Sequence, residues 1–148
     1  MEHSVFLKAF DKNGVPRRIV CTTDGIVQAL SRGPAPGIVI ESTAYEAKKI
    51  VSGSPCVIYY ARAFSLLGGF VVLVNKATDP ATNDIAKASC IWPIAAGQTI
   101  VLDLSPTGER FTTGCGIAFC SSVSLGTGTA EITVGANGAL FTVEGDLL

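Results

Sequence analysis

Few side chains in this sequence could do chemistry. Among its 148 residues there is one histidine, His3, and there are five cysteines: Cys21, Cys56, Cys90, Cys115 and Cys120. A Ser-His-Asp or Cys-His set needs a histidine held in place by packing, and His3 sits in a terminal stretch. The cysteines form no C-x-x-C pair, so the spacing of a zinc site is missing. Each lies in an apolar or β-like run, where a thiol behaves as a small hydrophobe. They are expected to be reduced core thiols of a protein made in a cytoplasm, with a disulfide between strands as the other reading. Glu41, Glu46, Asp103, Glu109 and Glu131 are of the type that paired-carboxylate hydrolysis uses. Nothing in their spacing brings two together, and solvated acids on strand edges and loops account for them.

Other motifs are equally thin. Asp79-Pro-Ala-Thr-Asn-Asp84 offers oxygen ligands without the spacing of a calcium loop, and Asx and Pro residues making turns explain it. No helix start or Walker lysine follows Gly114-Cys-Gly116 or Gly126-Thr-Gly128. Tyr59, Tyr60, Trp92 and Phe111 could stack on sugars or bases, but β-sheet packing uses the same residues. The basic residues that RNA-binding modules set beside their aromatics are missing. The expectation is a protein that builds a surface: not an enzyme, with no cofactor and no metal.

Composition supports that expectation. Charged residues make up 16% of the chain, where a soluble domain carries about a quarter. Such a shortage suggests a surface partly covered by other subunits, because interface cores lose charged residues. A neutral surface rich in Ser, Thr and Gly is the alternative. The net charge of −1 gives no field to draw nucleic acid or an anionic membrane. Lys8, Lys12, Arg17 and Arg18 form the one basic cluster. No run reaches the ~18 apolar residues of a membrane span, and the opening residues lack the pattern of a cleaved signal peptide.

The elements that would position these residues read as strands. Asn13-Gly14 and Asp24-Gly25 stand between β-like runs, a strong hairpin signal because both residues of each pair tolerate positive φ. The first 30 residues therefore read as a three-stranded meander or arm. Ser31-Arg-Gly-Pro-Ala-Pro-Gly37 is a linker by composition. Two domains follow: residues 1–36 as a hairpin arm and linker, and 37–148 as the body. In the body, Phe70–Val74 is apolar on both faces. Ile100, Leu102 and Leu104 alternate with Thr99, Val101 and Asp103, and Ala130, Ile132 and Val134 point inward against Glu131 and Thr133. Asn137-Gly138 reads as a third hairpin turn. Residues 44–52 suit either a short helix or a strand. About ten short strands with no long amphipathic helix argue an all-β sandwich, barrel or jelly roll.

The segment 74–119 resembles small structural proteins of tailed bacteriophages. The residues that carry the resemblance are Asn75, Lys76, Ala77 and Pro80, then Pro93, Ala96 and Gly97. They continue with Asp103 and Leu104, and with Gly108, Arg110, Phe111, Thr113, Gly114, Ile117 and Ala118. Residues 12–25 look like the N-terminal region of such proteins, whereas residues 125–148 depart from the pattern with a Gly-rich stretch. The resemblance implies an all-β, jelly-roll-like antiparallel β-sandwich with an N-terminal hairpin arm. It implies a virion protein on the capsid surface that decorates and cements a lattice of major capsid protein, as a homotrimer. A neck, tail or receptor-binding fibre component is the alternative, and a carbohydrate-binding sandwich using Trp92 or Tyr59-Tyr60 is a third reading. Expected partner contacts are Phe6, Phe10, Arg17, Arg18 and Arg110. Arg110 is expected either to have a fixed partner or to be solvated between Glu109 and Phe111.

Overall fold

The computed structural model describes residues 37–104 and 106–148 in full, and the backbone of residues 6–10, 16–21 and 27–29. His3, the side chain of Cys21, the turn residues of the first 30 positions and the Pro-rich linker lie outside the described residues. So do the side chains of Phe6, Phe10, Arg17 and Arg18. The chain divides into two compact units, Met1–Pro36 and Gly37–Leu148. In the first, β1 (Phe6–Phe10), β2 (Pro16–Cys21) and β3 (Val27–Ala29) form an antiparallel sheet in chain order.

The second unit is all-β, and every strand pairing in it is antiparallel. Its strands are β4 (Ile38–Glu41), β5 (Lys48–Ser52), β6 (Cys56–Ser65) and β7 (Gly69–Val74), then β8 (Ile85–Lys87), β9 (Ile91–Ile94) and β10 (Gln98–Val101). There follow β11 (Glu109–Phe111), β12 (Cys115–Leu125), β13 (Thr129–Val134) and β14 (Ala139–Leu147). One sheet runs β10-β6-β14-β4, with β11 also on β6; the other runs β8-β13-β12-β7-β9, with β5 also on β12. The main core lies between them. Ile58, Ala61 and Ala63 of β6 and Phe141 and Val143 of β14 meet Val71 and Leu73 of β7 and Ile117 and Phe119 of β12.

The two sheets bury their residues differently. On β14, buried and half-buried positions alternate along the strand, the period-2 pattern of a sheet with one covered face. The apolar run 70–74 does not alternate, and Val71 to Val74 are all buried. Val72 and Val74 join Ala118 and Cys120 in a second cluster on the far side of that sheet. Ala86 of β8 and Ile132 of β13 close it. This closure requires the sheet to curl, and β8 returns to touch β7. A β-bulge in β12 between Cys120 and Ser122 supplies the local bend. There the strand edge passes from β5, which pairs with residues 115–118, to β13. The Phe119 ring fits because Gly69 and Gly135 lie against it; a Cβ at Gly135 would stand 2.6 Å from the ring.

One sequence expectation changes, and one open choice is decided. Asn137-Gly138 is not a hairpin turn: β13 pairs with β12 and β8, and β14 pairs with β6 and β4. The turn residues carry the chain from one sheet to the other, and Asn137 Oδ1 accepts the Ala47 N–H at 3.1 Å. Residues 44–52, which suited either a short helix or a strand, contain strand β5 at Lys48–Ser52, and its Val51 enters the main core. Pro93 lies inside β9. As an edge strand paired only with β7, β9 tolerates the missing donor.

Candidate interaction surface

The two halves of the 74–119 signature meet in space. Asn75 Oδ1 accepts the Thr113 N–H at 2.9 Å, and its amide donates to Thr112 Oγ1 at 3.0 Å. The Lys76 N–H reaches the Gly114 carbonyl at 3.0 Å. A Cβ on Gly116 would stand 2.6 Å from the Pro80 ring, so only glycine lets the loop lie on β12 there. Asp84 ties off the loop: its carboxylate accepts from Lys76 Nζ at 2.7 and 3.0 Å and from the Ala81 N–H at 2.8 Å. Burial alone would raise the Asp84 carboxyl, but Lys76 and the Ala81 amide outweigh it and hold it below the ordinary carboxylate range. The loop that offered oxygen ligands is thus organised by an internal ion pair. Among the described residues no group of His, Cys, Asp and Glu is placed to hold a metal.

The other acids are dispersed. Glu46 bonds Ser42 and Lys49, and Glu109 accepts from Lys87 Nζ at 2.7 Å. The Glu109 carboxylate raises the Lys87 ammonium above its ordinary value. Glu41 and Glu131 stand exposed on different sheets. A small depression of about 150 Å³ lies beside Lys87, lined by Leu73, Asn75, Ile85, Cys90 and Phe111 among others. Cys56, Cys90, Cys115 and Cys120 are buried free thiols. Burial pushes Cys90 up to about 11 and Cys120 up to about 12, as expected of thiols acting as core hydrophobes.

The outer face of the β10-β6-β14-β4 sheet has a different character. Directly opposed residues of antiparallel strands share a face, so the register writes this surface as rows. Thr99, Phe64 and Leu140 form the first; Val101, Arg62, Thr142 and Glu41 form the second. Tyr60, Glu144 and Val39 form the third, and Arg110, Val57 and Asp146 the fourth. In the register between β6 and β14, Tyr60 faces Glu144 and Ile58 faces Gly145. Tyr59 is therefore the extra residue of a bulge, and it is 51% exposed. Tyr45 meets Phe64 in a tilted arrangement, with ring centroids 6.4 Å apart at 45°. Val39 and Val101 are more than half exposed. An apolar and aromatic band thus runs across this sheet, with Arg62, Arg110, Glu41, Glu144 and Asp146 set around it.

Arg110 therefore belongs to an extended face. Its side chain is exposed, with no salt bridge or hydrogen bond to another described residue. Trp92 does not join the tyrosines, because it packs against the core between the sheets. Arg62, Phe64, Leu140 and Val39 were not singled out in the sequence. Strand alternation alone could have marked them as outward-facing, but only the register puts them on one surface.

No family model, curated protein or solved structure matches this chain.

Proposed function

We propose that this protein is a virion structural component that decorates and cements a bacteriophage capsid by binding the lattice of major capsid protein, as a trimer. In this reading the second unit is a jelly-roll-like sandwich, and residues 1–36 are an arm laid on the shell. The observation that carries it is the outer face of the β6–β14 sheet. That face combines exposed Tyr and Val side chains with arginines and a polar surround, the composition of a protein interface. The low charge fraction of the chain and the resemblance of residues 74–119 to phage structural proteins point the same way. Several such contacts per trimer would act together through avidity.

The test uses capsids of the encoding phage that lack this protein. Purified protein added to them is expected to bind at a fixed copy number and to raise their rupture temperature. Arg62→Glu combined with Tyr59→Ala is expected to abolish both effects while leaving the melting temperature of the free protein within a few degrees. Absence of binding by the unaltered protein overturns the reading. A saturating copy number of a dozen or fewer would move the protein to a neck or tail position.

A further inference from the structure

The outer face of the β6–β14 sheet separates its charges by strand. Its arginines stand on one side, Arg62 on β6 and Arg110 on β11. Its carboxylates stand on the other, Glu144 and Asp146 on β14 and Glu41 on β4. Strands β10 and β11 lie beyond β6, and β4 lies beyond β14. The boundary between the two halves therefore runs parallel to the strands, between β6 and β14. Among the described residues, Arg62, Arg110, Glu41 and Glu144 take no part in a salt bridge, and Asp146 Oδ1 accepts the Gly37 N–H at 2.9 Å. Arg62 and Glu41 share a row but stand two strands apart, with Thr142 between them, about 10 Å across the sheet. The row beside theirs sets Phe64 against Leu140 and is apolar. Asp103, exposed just past the end of β10, lies outside these paired rows.

We propose that in free solution this face pairs with the same face of a second copy, about a two-fold axis parallel to its strands. A face with opposite charges on its two halves is its own complement under that operation. The rotation keeps each row at its own level and lays the β6 half of one copy on the β14 half of the other. Phe64 then meets Leu140 of the second copy, and the reverse contact repeats it. Arg62 meets Thr142 of the second copy and falls between that copy's Glu41, one strand over, and its Glu144, one row along. Arg110 falls one strand from that copy's Asp146. A two-fold axis across the strands would instead set arginines over arginines and carboxylates over carboxylates, which like-charge repulsion disfavours. Four rows across four strands cover roughly 500 Å² on each copy. That is the low end for a specific interface, so the pairing is weak and sensitive to salt. The inference goes beyond the proposed function, since it concerns protein that has not met a shell. In that reading a capsid lattice displaces the second copy, and a weak pairing permits the exchange.

The experiment follows the mass of the full chain by sedimentation equilibrium over a range of concentrations. Expected is a monomer–dimer equilibrium with a dissociation constant of about 10–100 μM at low ionic strength, weakened at about 0.5 M salt. Arg62→Glu and Glu144→Arg are each expected to raise that constant at least ~10-fold while leaving the melting temperature within a few degrees. The two together set opposite charges across the axis again, and the double variant is expected to dimerise more tightly than either single one. Glu131→Lys, exposed on the other sheet, is expected to dimerise like the unaltered protein. A monomer at every concentration up to about 1 mM, a trimer in solution, or a dimer unmoved by both reversals overturns the proposal. Binding to capsids is measured separately, so the proposed function stands or falls independently of these results.

Discussion

The two sheets of the larger unit are built from similar strands but bury them differently. The β7–β12 sheet is covered on both faces, by the main core and by the cluster that β8 and β13 close. The β6–β14 sheet is covered on one face, and its other face carries Tyr60, Arg62, Phe64 and Val39 outward. The difference shows how labour is divided between the sheets. The curled sheet holds the most deeply buried strands and fixes the shape, so its side chains are constrained by packing on both sides. The one-sided sheet has a row of positions where side chains are free to meet a partner.

The largest test of this comparison places the same lysine on the far side of each sheet. Ala118→Lys puts an unpaired charge into a cluster where Ala118 is fully buried. It is expected to cost more than ~5 kcal/mol and to leave the chain unfolded by circular dichroism. Thr142→Lys, half-buried on the outer face of β14, is expected to change stability by less than about 1 kcal/mol. Equal effects would erase the distinction between the sheets.

Next in size is an aromatic truncation. Phe119→Ala removes a fully buried ring packed under Gly69 and Gly135 and is expected to cost about 3–5 kcal/mol in urea unfolding. Phe64→Ala, on the outer face beside Tyr45, is expected to cost under about half of that.

A smaller effect sharpens the role of the loop that packs on β12. Gly116→Ala drives a Cβ into the Pro80 ring and is expected to cost about 1–3 kcal/mol. A tolerated alanine, with unchanged midpoint and slope in denaturant, would show that the loop shifts freely.

The smallest concerns the ion pair of the same loop. The Asp84 carboxyl is held low in the folded protein, so the unfolded chain binds its proton more tightly. The stability it contributes is therefore fully present above the unfolded value of ~3.9 and is lost as the pH falls through the lower folded value. Asp84→Asn is expected to cost about 1 kcal/mol at neutral pH, since both partners are partly exposed. That gap should close in acid titrations below about pH 4. A gap independent of pH would assign the cost to the lost geometry of the loop and not to its charge.

Much of the fold was legible in residue order. The apolar run 70–74 announced a strand buried on both faces, and the alternation of 130–134 marked which of its residues point inward. Cys56, Cys90, Cys115 and Cys120 were readable as core residues from the apolar runs that hold them. The Asn137-Gly138 signal was misleading for a physical reason. Turn chemistry states that the chain reverses, and it does not state whether the next strand pairs with the last or crosses to the opposite sheet. The 74–119 signature was visible as spacing, but its cause was not. Asn75 clasps Thr112 and Thr113, and Pro80 rests on Gly116, across a sequence gap that no local pattern spans. The candidate surface was the least legible part. Arg110 and Tyr60 were singled out, but their companions Arg62 and Val39 lie on β6 and β4, and β4, β6 and β11 are brought together only by register.

The sequence by itself determined the β class, the inward and outward positions of most strands, and the placing of its glycines and turns. Those properties depend on neighbours within a few residues, through backbone sterics and the period of the strand. Tertiary structure decided which strands share a sheet, which sheet is covered twice, and which exposed side chains form one face. These are contacts between distant residues, set by how the whole chain buries its apolar surface.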